Sequence, residues 1–281
     1  MRVNKYCDYD FNLLNDELEI NPSSLFARKV RSTIYATKTI ESGNQFEVEI
    51  YPALTKNRMK FIRNESKEIN RKWNDAKRKK NIIRKINHNF GSGDLYGTLT
   101  YPKECYPENM DEAKKNMVNF IKRIKTRLKK KNIELSEFKY VYATEKSEKG
   151  RIHHHFIMNS LLSMDEVMEC WNNRGYNKIS KIDYDAKFGI TGLATYLCKE
   201  HKKRAKSEKR YSCSKNLENP IEHRDYKKFS ERKVKKMASD EALIATFLEK
   251  EYPHAAFLDV NVSRNKYGHV FIHARMTKRR I

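Results

Sequence analysis

The chain has 281 residues, enough for one large domain or two small ones, and its 59 Lys and Arg against 36 Asp and Glu leave a formal charge of +23. An excess of that size on a soluble chain points first to a polyanionic partner, with nucleic acid the leading candidate. It holds no run of about 18 apolar residues, and MRVNKYCDYDFN at its start lacks the apolar core of a signal peptide, so a cytoplasmic protein without membrane association is expected.

The five cysteines, Cys7, Cys105, Cys170, Cys198 and Cys213, show no CxxC spacing, which argues against a zinc ribbon or a disulfide scaffold. Basic residues are grouped in runs at 71–85, 122–131 and 199–210. A single such run is often only a solvated helix face; three in one chain favour binding.

In chain order, FEVEIYPAL at 46–54 alternates Phe46, Val48 and Ile50 with Glu47 and Glu49, the pattern of a half-buried strand. Residues 65–88 read as a strongly basic helix. DLYGTLTYP at 94–102 reads as a strand closed by Pro102. MDEAKKNMVNFIKRIKTRLKK then places Met117, Phe120, Ile121, Ile124 and Leu128 at helical spacing, with lysines and arginines opposite. FKYVYATE at 138–145 and RIHHHFIMN at 151–159, separated by the polar KSEKG, predict an antiparallel hairpin.

SMDEVMECWNNRG at 163–175 opens on a capping box, Ser163 with Glu166, and has Gly175 as a stop. KISKIDY predicts another strand and 189–202 another helix; AAFLDVNVS and GHVFIHARM, joined by RNKYG, predict a terminal hairpin. From residue 94 the order strand, helix, strand, strand, helix, strand, helix suits a ferredoxin-like or RRM-like α+β sandwich with an antiparallel sheet.

Strand alternation splits the histidine triplet, sending His153 and His155 to one face and His154 to the other. Two imidazoles two residues apart can share a divalent metal, and Glu145 on the neighbouring strand can complete the set. Two nitrogens and one carboxylate oxygen leave positions for water and a phosphate oxygen. His-x-His on a strand is equally a surface or hydrogen-bonded pair, so the triplet does not decide alone.

On the helix at 189–202, Ile190, Leu193, Ala194 and Leu197 form an apolar stripe, and Tyr196 and Lys199 lie side by side on a flanking face. A tyrosine beside an ammonium and a metal-polarised phosphate can act as a nucleophile. His269 and His273 share a face but stand about 13 Å apart along a strand, too far to share an ion, and are expected to be structural. Cys198 has no base at readable spacing, so a cysteine nucleophile is the weaker alternative.

Taken together, DLYGTLTYP, GRIHHHFIM and YLCK resemble, in order and spacing, the motifs of the rolling-circle replication initiators of the HUH endonuclease superfamily. FEVEIYP, CWNNRG, RYSCSKNLENP and FLDVNVSRNKYGHVFIHARM are similar to replication-associated proteins of small phages, plasmids and integrated elements of bacteria. The resemblance implies an HUH core at 91–205. It is flanked by an N-terminal extension, 1–90, with a strand and a basic helix, and a C-terminal extension, 206–281, ending in a β-hairpin.

It further implies that His153 and His155 bind Mg²⁺ or Mn²⁺ with Glu145 as third ligand, and that Tyr196 attacks single-stranded origin DNA, in a hairpin, to leave a 5′-phosphotyrosine. Lys199 would help position metal and phosphate, and a host helicase and polymerase would be partners, since no GxxxxGK[ST] is present. His154 stands where the family pattern usually has a hydrophobic residue, which leaves a shifted register, with His154 as a ligand, as an alternative. A relaxase or single-tyrosine transposase would use the same chemistry. A non-catalytic single-strand-binding module stacking bases on Tyr96 and Tyr101 is the reading outside the enzyme class.

Overall fold

The computed structural model describes residues 34–53, 67–147, 150–171, 175–198, 211–264 and 269–279. In chain order the elements are β1 (Tyr35–Ser42), β2 (Gln45–Pro52), α1 (Lys67–Asn89), β3 (Leu95–Leu99), α2 (Met110–Lys130), β4 (Tyr140–Lys146), β5 (Ile152–Met158) and α3 (Met164–Glu169). There follow β6 (Asn177–Lys181), α4 (Thr191–Leu197), β7 (Ser212–Cys213), β8 (Ile221–Asp225), α5 (Glu231–Met237), α6 (Glu241–Glu251), β9 (Ala255–Arg264) and β10 (Val270–Lys278). The strands form two five-stranded antiparallel sheets, so the fold is α+β. The chain divides into two units, residues 1–81 with 220–281, and residues 82–219.

In the first unit the strand order is β8-β1-β2-β10-β9. The two ends of the chain, which read as separate extensions, share this sheet, with Ile50 of β2 opposite Ile272 of β10. Phe46, Val48, Ile50, Ile272, Ala274 and Met276 line one face and bury against Val234 and Met237 of α5 and Ile244 and Leu248 of α6. The expected terminal hairpin is β9 with β10; its connecting residues, 265–268, lie outside the described ones.

The second unit is a sandwich around the order β6-β3-β5-β4-β7. Side chains alternate across the sheet, so each face needs its own cover. One face carries Leu95, Leu99, Phe156 and Met158, buried under α2 through Met117, Phe120, Ile121, Ile124 and Leu128, and under Val167 of α3. The other carries Val141, Ala143 and Ile157, buried under Ile82 and Ile86 of α1 and under Ala194 and Leu197 of α4. Each large apolar side chain so buried contributes about 1.5–3 kcal/mol.

Local chemistry sets the helix ends. Asn109 caps α2 by accepting from the N–H groups of Asp111 and Glu112, at 3.0 and 2.9 Å. The basic residues of its last turn, Arg127, Lys129 and Lys130, sit at the negative end of the helix dipole. The capping box of α3 is complete, Ser163 and Glu166 each bonding the other's backbone.

The helix expected over 163–175 ends at Glu169 instead. The chain turns inward there to bury Trp171 completely, and its indole N–H donates to the Thr100 carbonyl at 3.1 Å. Within β3, Gly97 lies opposite Phe156, and a Cβ at Gly97 would come within 2.4 Å of that ring. The aromatic core of this layer therefore requires glycine at that point.

Candidate active site

The site is built on β4 and β5, where Glu145 and His153 are direct cross-strand partners. His155, two residues on, shares their face. One ligand atom from each of Glu145, His153 and His155 lies within 4.8 Å of the others. Glu145 Oε2 and His153 Nε2 are 3.9 Å apart, and the two imidazole centroids 4.8 Å. Adjacent ligands around an octahedral ion at about 2.1 Å stand about 3 Å apart. Side-chain rotation of about an ångström therefore closes the set on a metal.

Both histidines have Nδ1 engaged. His155 Nδ1 meets the Thr98 hydroxyl of β3 at 3.0 Å, and His153 Nδ1 meets the Arg151 carbonyl at 3.3 Å. A carbonyl only accepts, so His153 carries its proton on Nδ1 and turns a lone pair on Nε2 toward Glu145. The same tautomer at His155 lets Nδ1–H donate to Thr98. Outer partners on Nδ1 with Nε2 presented inward is the arrangement of metal-binding histidines, and a His₂–carboxylate set of this kind fits Mn²⁺ or Mg²⁺.

His154 is elsewhere. It is fully buried in the opposite layer, its Nε2 2.6 Å from the Tyr101 hydroxyl and its Nδ1 2.9 Å from Thr144 Oγ1. The rings of Tyr101 and Trp171 meet it edge-on. Burial, reinforced by the charges of His153 and His155, lowers its pKa from 6.5 to about 3, so it stays neutral. Two hydroxyls satisfy one N–H and one lone pair, which explains a histidine in a hydrophobic position.

Tyr196 reaches the same face from α4. Its ring meets that of His155 edge-on at 5.0 Å, and the side chain stays 48 % exposed. Ile190, at the N-cap of α4, offers no side-chain cap; its N–H is bonded instead by Asn87 Oδ1 of α1 at 3.0 Å. Asn87 Nδ2 also donates to Thr191 Oγ1 at 3.0 Å. A buried amide on one helix thus fixes the start of the helix that carries Tyr196. Tyr96 stacks near-parallel to His155 at 6.4 Å, and burial raises its pKa, keeping that phenol protonated.

Lys199 lies outside the described residues. Cys198 is buried at the end of α4, with its N–H bonded to helix carbonyls. Sequence reasoning passed over a second cluster, Glu47, Glu49 and His273, because it forms only when β2 pairs with β10. His273 Nε2 is 2.7 Å from Glu47 and the Lys80 ammonium 2.6 Å from Glu49, so a side-chain cation already sits there. The alternation of Glu47 and Glu49 was readable, whereas the pairing that adds His273 was not.

An α+β sandwich with a His-x-His pair and a carboxylate on adjacent central strands, and a tyrosine presented by a following helix, is consistent with the HUH-type fold. Residues 94–205 match the model of the Replication-associated protein ORF2 family. The chain carries a domain of that family, consistent with a rolling-circle replication initiator. Neither a curated protein nor a solved structure gives a significant match.

Proposed function

We propose that the protein starts rolling-circle replication by nicking and rejoining single-stranded origin DNA through a 5′-phosphotyrosine on Tyr196. The observation that carries this reading is the Glu145–His153–His155 cluster with the Tyr196 ring against His155. Mg²⁺ or Mn²⁺ bound by these three residues would supply Lewis-acid polarisation of the scissile phosphate. The Tyr196 oxygen attacks phosphorus and the P–O3′ bond breaks. The phenolic proton passes to solvent, and the departing 3′ oxygen takes one up.

Lys199 offers its ammonium to the same phosphate, and half-exposure of Tyr196 lets a strand reach it. Joining is the reverse step, a 3′-hydroxyl attacking the phosphotyrosine. The free 3′ end serves a polymerase, and a host helicase opens the duplex around an origin hairpin. A relaxase or transposase would share the chemistry; the family match favours replication.

Incubation of the protein with origin-bearing single strands and Mn²⁺, followed by denaturing electrophoresis, tests the reading. Wild type should form a covalent adduct and Tyr196→Phe none. An adduct retained by Tyr196→Phe removes the nucleophile, and none from wild type on any origin strand leaves only a binding module.

A further inference from the structure

The register of the second sheet arranges its site-bearing face in rows. Ala143, His155, Thr98 and Lys178 stand side by side on β4, β5, β3 and β6, and the next row is Val141, Ile157, Tyr96 and Ser180. That second row lies in the apolar core beneath α1 and α4. On the other side of the His155 row comes Glu145 with His153. There the ladder runs one pair beyond β6, with Thr100 N–H and Oγ1 both donating to the Tyr176 carbonyl, at 3.0 and 2.8 Å.

Two features of β6 at this end have no use inside the fold. Tyr176 is 72 % exposed, the most exposed large apolar side chain among the described residues. Lys178 is exposed and makes no ion pair among them. Alternation puts Tyr176 and Lys178 on one face, the face of Thr98 and His155, while Ile179 packs into the opposite core. Two strand spacings, about 10 Å, separate Lys178 from His155 across Thr98.

Gly175 anchors the start of this edge. Its φ is +142°, and a Cβ there would meet the Thr100 carbonyl at 2.4 Å, so the chain enters β6 pressed against the end of β3.

From this arrangement we infer that the β6 edge is a single-stranded DNA rail. Lys178 takes a backbone phosphate and Tyr176 stacks on a base of the strand that runs from the scissile phosphate. The inference rests on the reading that the Glu145–His153–His155–Tyr196 face handles DNA. An aromatic beside a lysine on an open sheet edge is the pairing that sequence-tolerant single-strand binding requires, a π-face for any base and a charge for the backbone. The chain's charge of +23 agrees with that occupant rather than a second copy of the same chain. Lysines on edge strands also serve to block pairing with other sheets, and the strand supplies its own control. Lys181 is also exposed but belongs to the Ile179 side, away from the site.

Fluorescence anisotropy with a labelled oligothymidine and a mixed-sequence single strand, in EDTA, compares wild type with Tyr176→Ala, Tyr176→Phe, Lys178→Ala and Lys181→Ala. Tyr176→Ala should weaken binding about 5- to 100-fold, the range of one lost stack, with Tyr176→Phe near wild type. Lys178→Ala should lower the slope of log affinity against log salt by about 0.7, and Lys181→Ala should leave it unchanged. Equal losses from both lysines, wild-type affinity in Tyr176→Ala, or a change in oligomeric state in place of a change in affinity would overturn the rail.

Adduct formation in Mn²⁺, measured on the same proteins, separates the two ideas. An adduct with unaltered binding in the edge variants sinks the rail alone. Weakened binding with no adduct from wild type sinks the nickase and leaves the rail.

Discussion

Replacing Thr98 by valine removes one oxygen and almost no volume, and it tests whether His155 is held as a metal ligand. The hydroxyl lies 3.0 Å from His155 Nδ1, and His155 is 3 % exposed, so water has little access to take its place. An imidazole N–H left unsatisfied in that position costs about 1–3 kcal/mol. Loss of an outer partner to a ligating histidine typically costs about 10- to 100-fold in metal affinity, about 1.4 to 2.7 kcal/mol, and the two figures agree. Valine is favourable in a strand, so β3 itself should persist. Calorimetric titration with Mn²⁺ should show Thr98→Val weakened by that factor, Thr98→Ser near wild type, and His155→Ala without binding. Thr98→Val binding Mn²⁺ as tightly as wild type would refute the positioning argument.

Asn87→Ala should cost about 2 kcal/mol in chemical denaturation, since it strips the bonds at the start of α4; it should also slow adduct formation while leaving Mn²⁺ affinity intact, and equal effects on both would contradict a role confined to the Tyr196 helix. His154 has a folded-state pKa of about 3 against its ordinary 6.5, so the unfolded chain takes up the proton first. Its stabilisation is complete above pH 6.5 and falls as pH drops toward 3, by up to about 1.4 kcal/mol per unit. In EDTA, His154→Asn should flatten the stability profile in that window, and a slope identical to wild type would count against it. Gly97→Ala pushes a methyl into the Phe156 ring and should destabilise by about 1–3 kcal/mol, read as a drop in Tm; an unchanged Tm would mean the ring has room to move.

Much of the second unit was legible because its signals are local. The β4–β5 hairpin shows as two β-rich runs around a polar turn. The stripe of α2 shows as Met117, Phe120, Ile121, Ile124 and Leu128 at helical spacing, all of them buried. The separation of His154 from His153 and His155 follows from the period of two along a strand. What could not be read depends on distant partners. β8, IEHRD, is polar and largely exposed, so no alternation marks it, and it becomes a strand only by pairing with β1.

The shared sheet of the two chain ends, and with it the Glu47–Glu49–His273 cluster, needs a pairing between residues more than 200 positions apart. The end of α3 was misjudged because Gly175 looked like its stop, whereas burial of Trp171 ends it earlier. Thr98 and Asn87, which orient His155 and the Tyr196 helix, carry no sequence signal of their own. They matter through what stands opposite them.

The account turns on where the DNA becomes attached. Mass spectrometry of the protease-digested adduct, formed on a single-stranded origin oligonucleotide in Mn²⁺, reads this directly. The account predicts a nucleotide joined through its 5′-phosphate to the peptide holding Tyr196, with a free 3′-hydroxyl on the released fragment. Attachment at another residue, or a 3′-phosphate linkage to Tyr196, would contradict it.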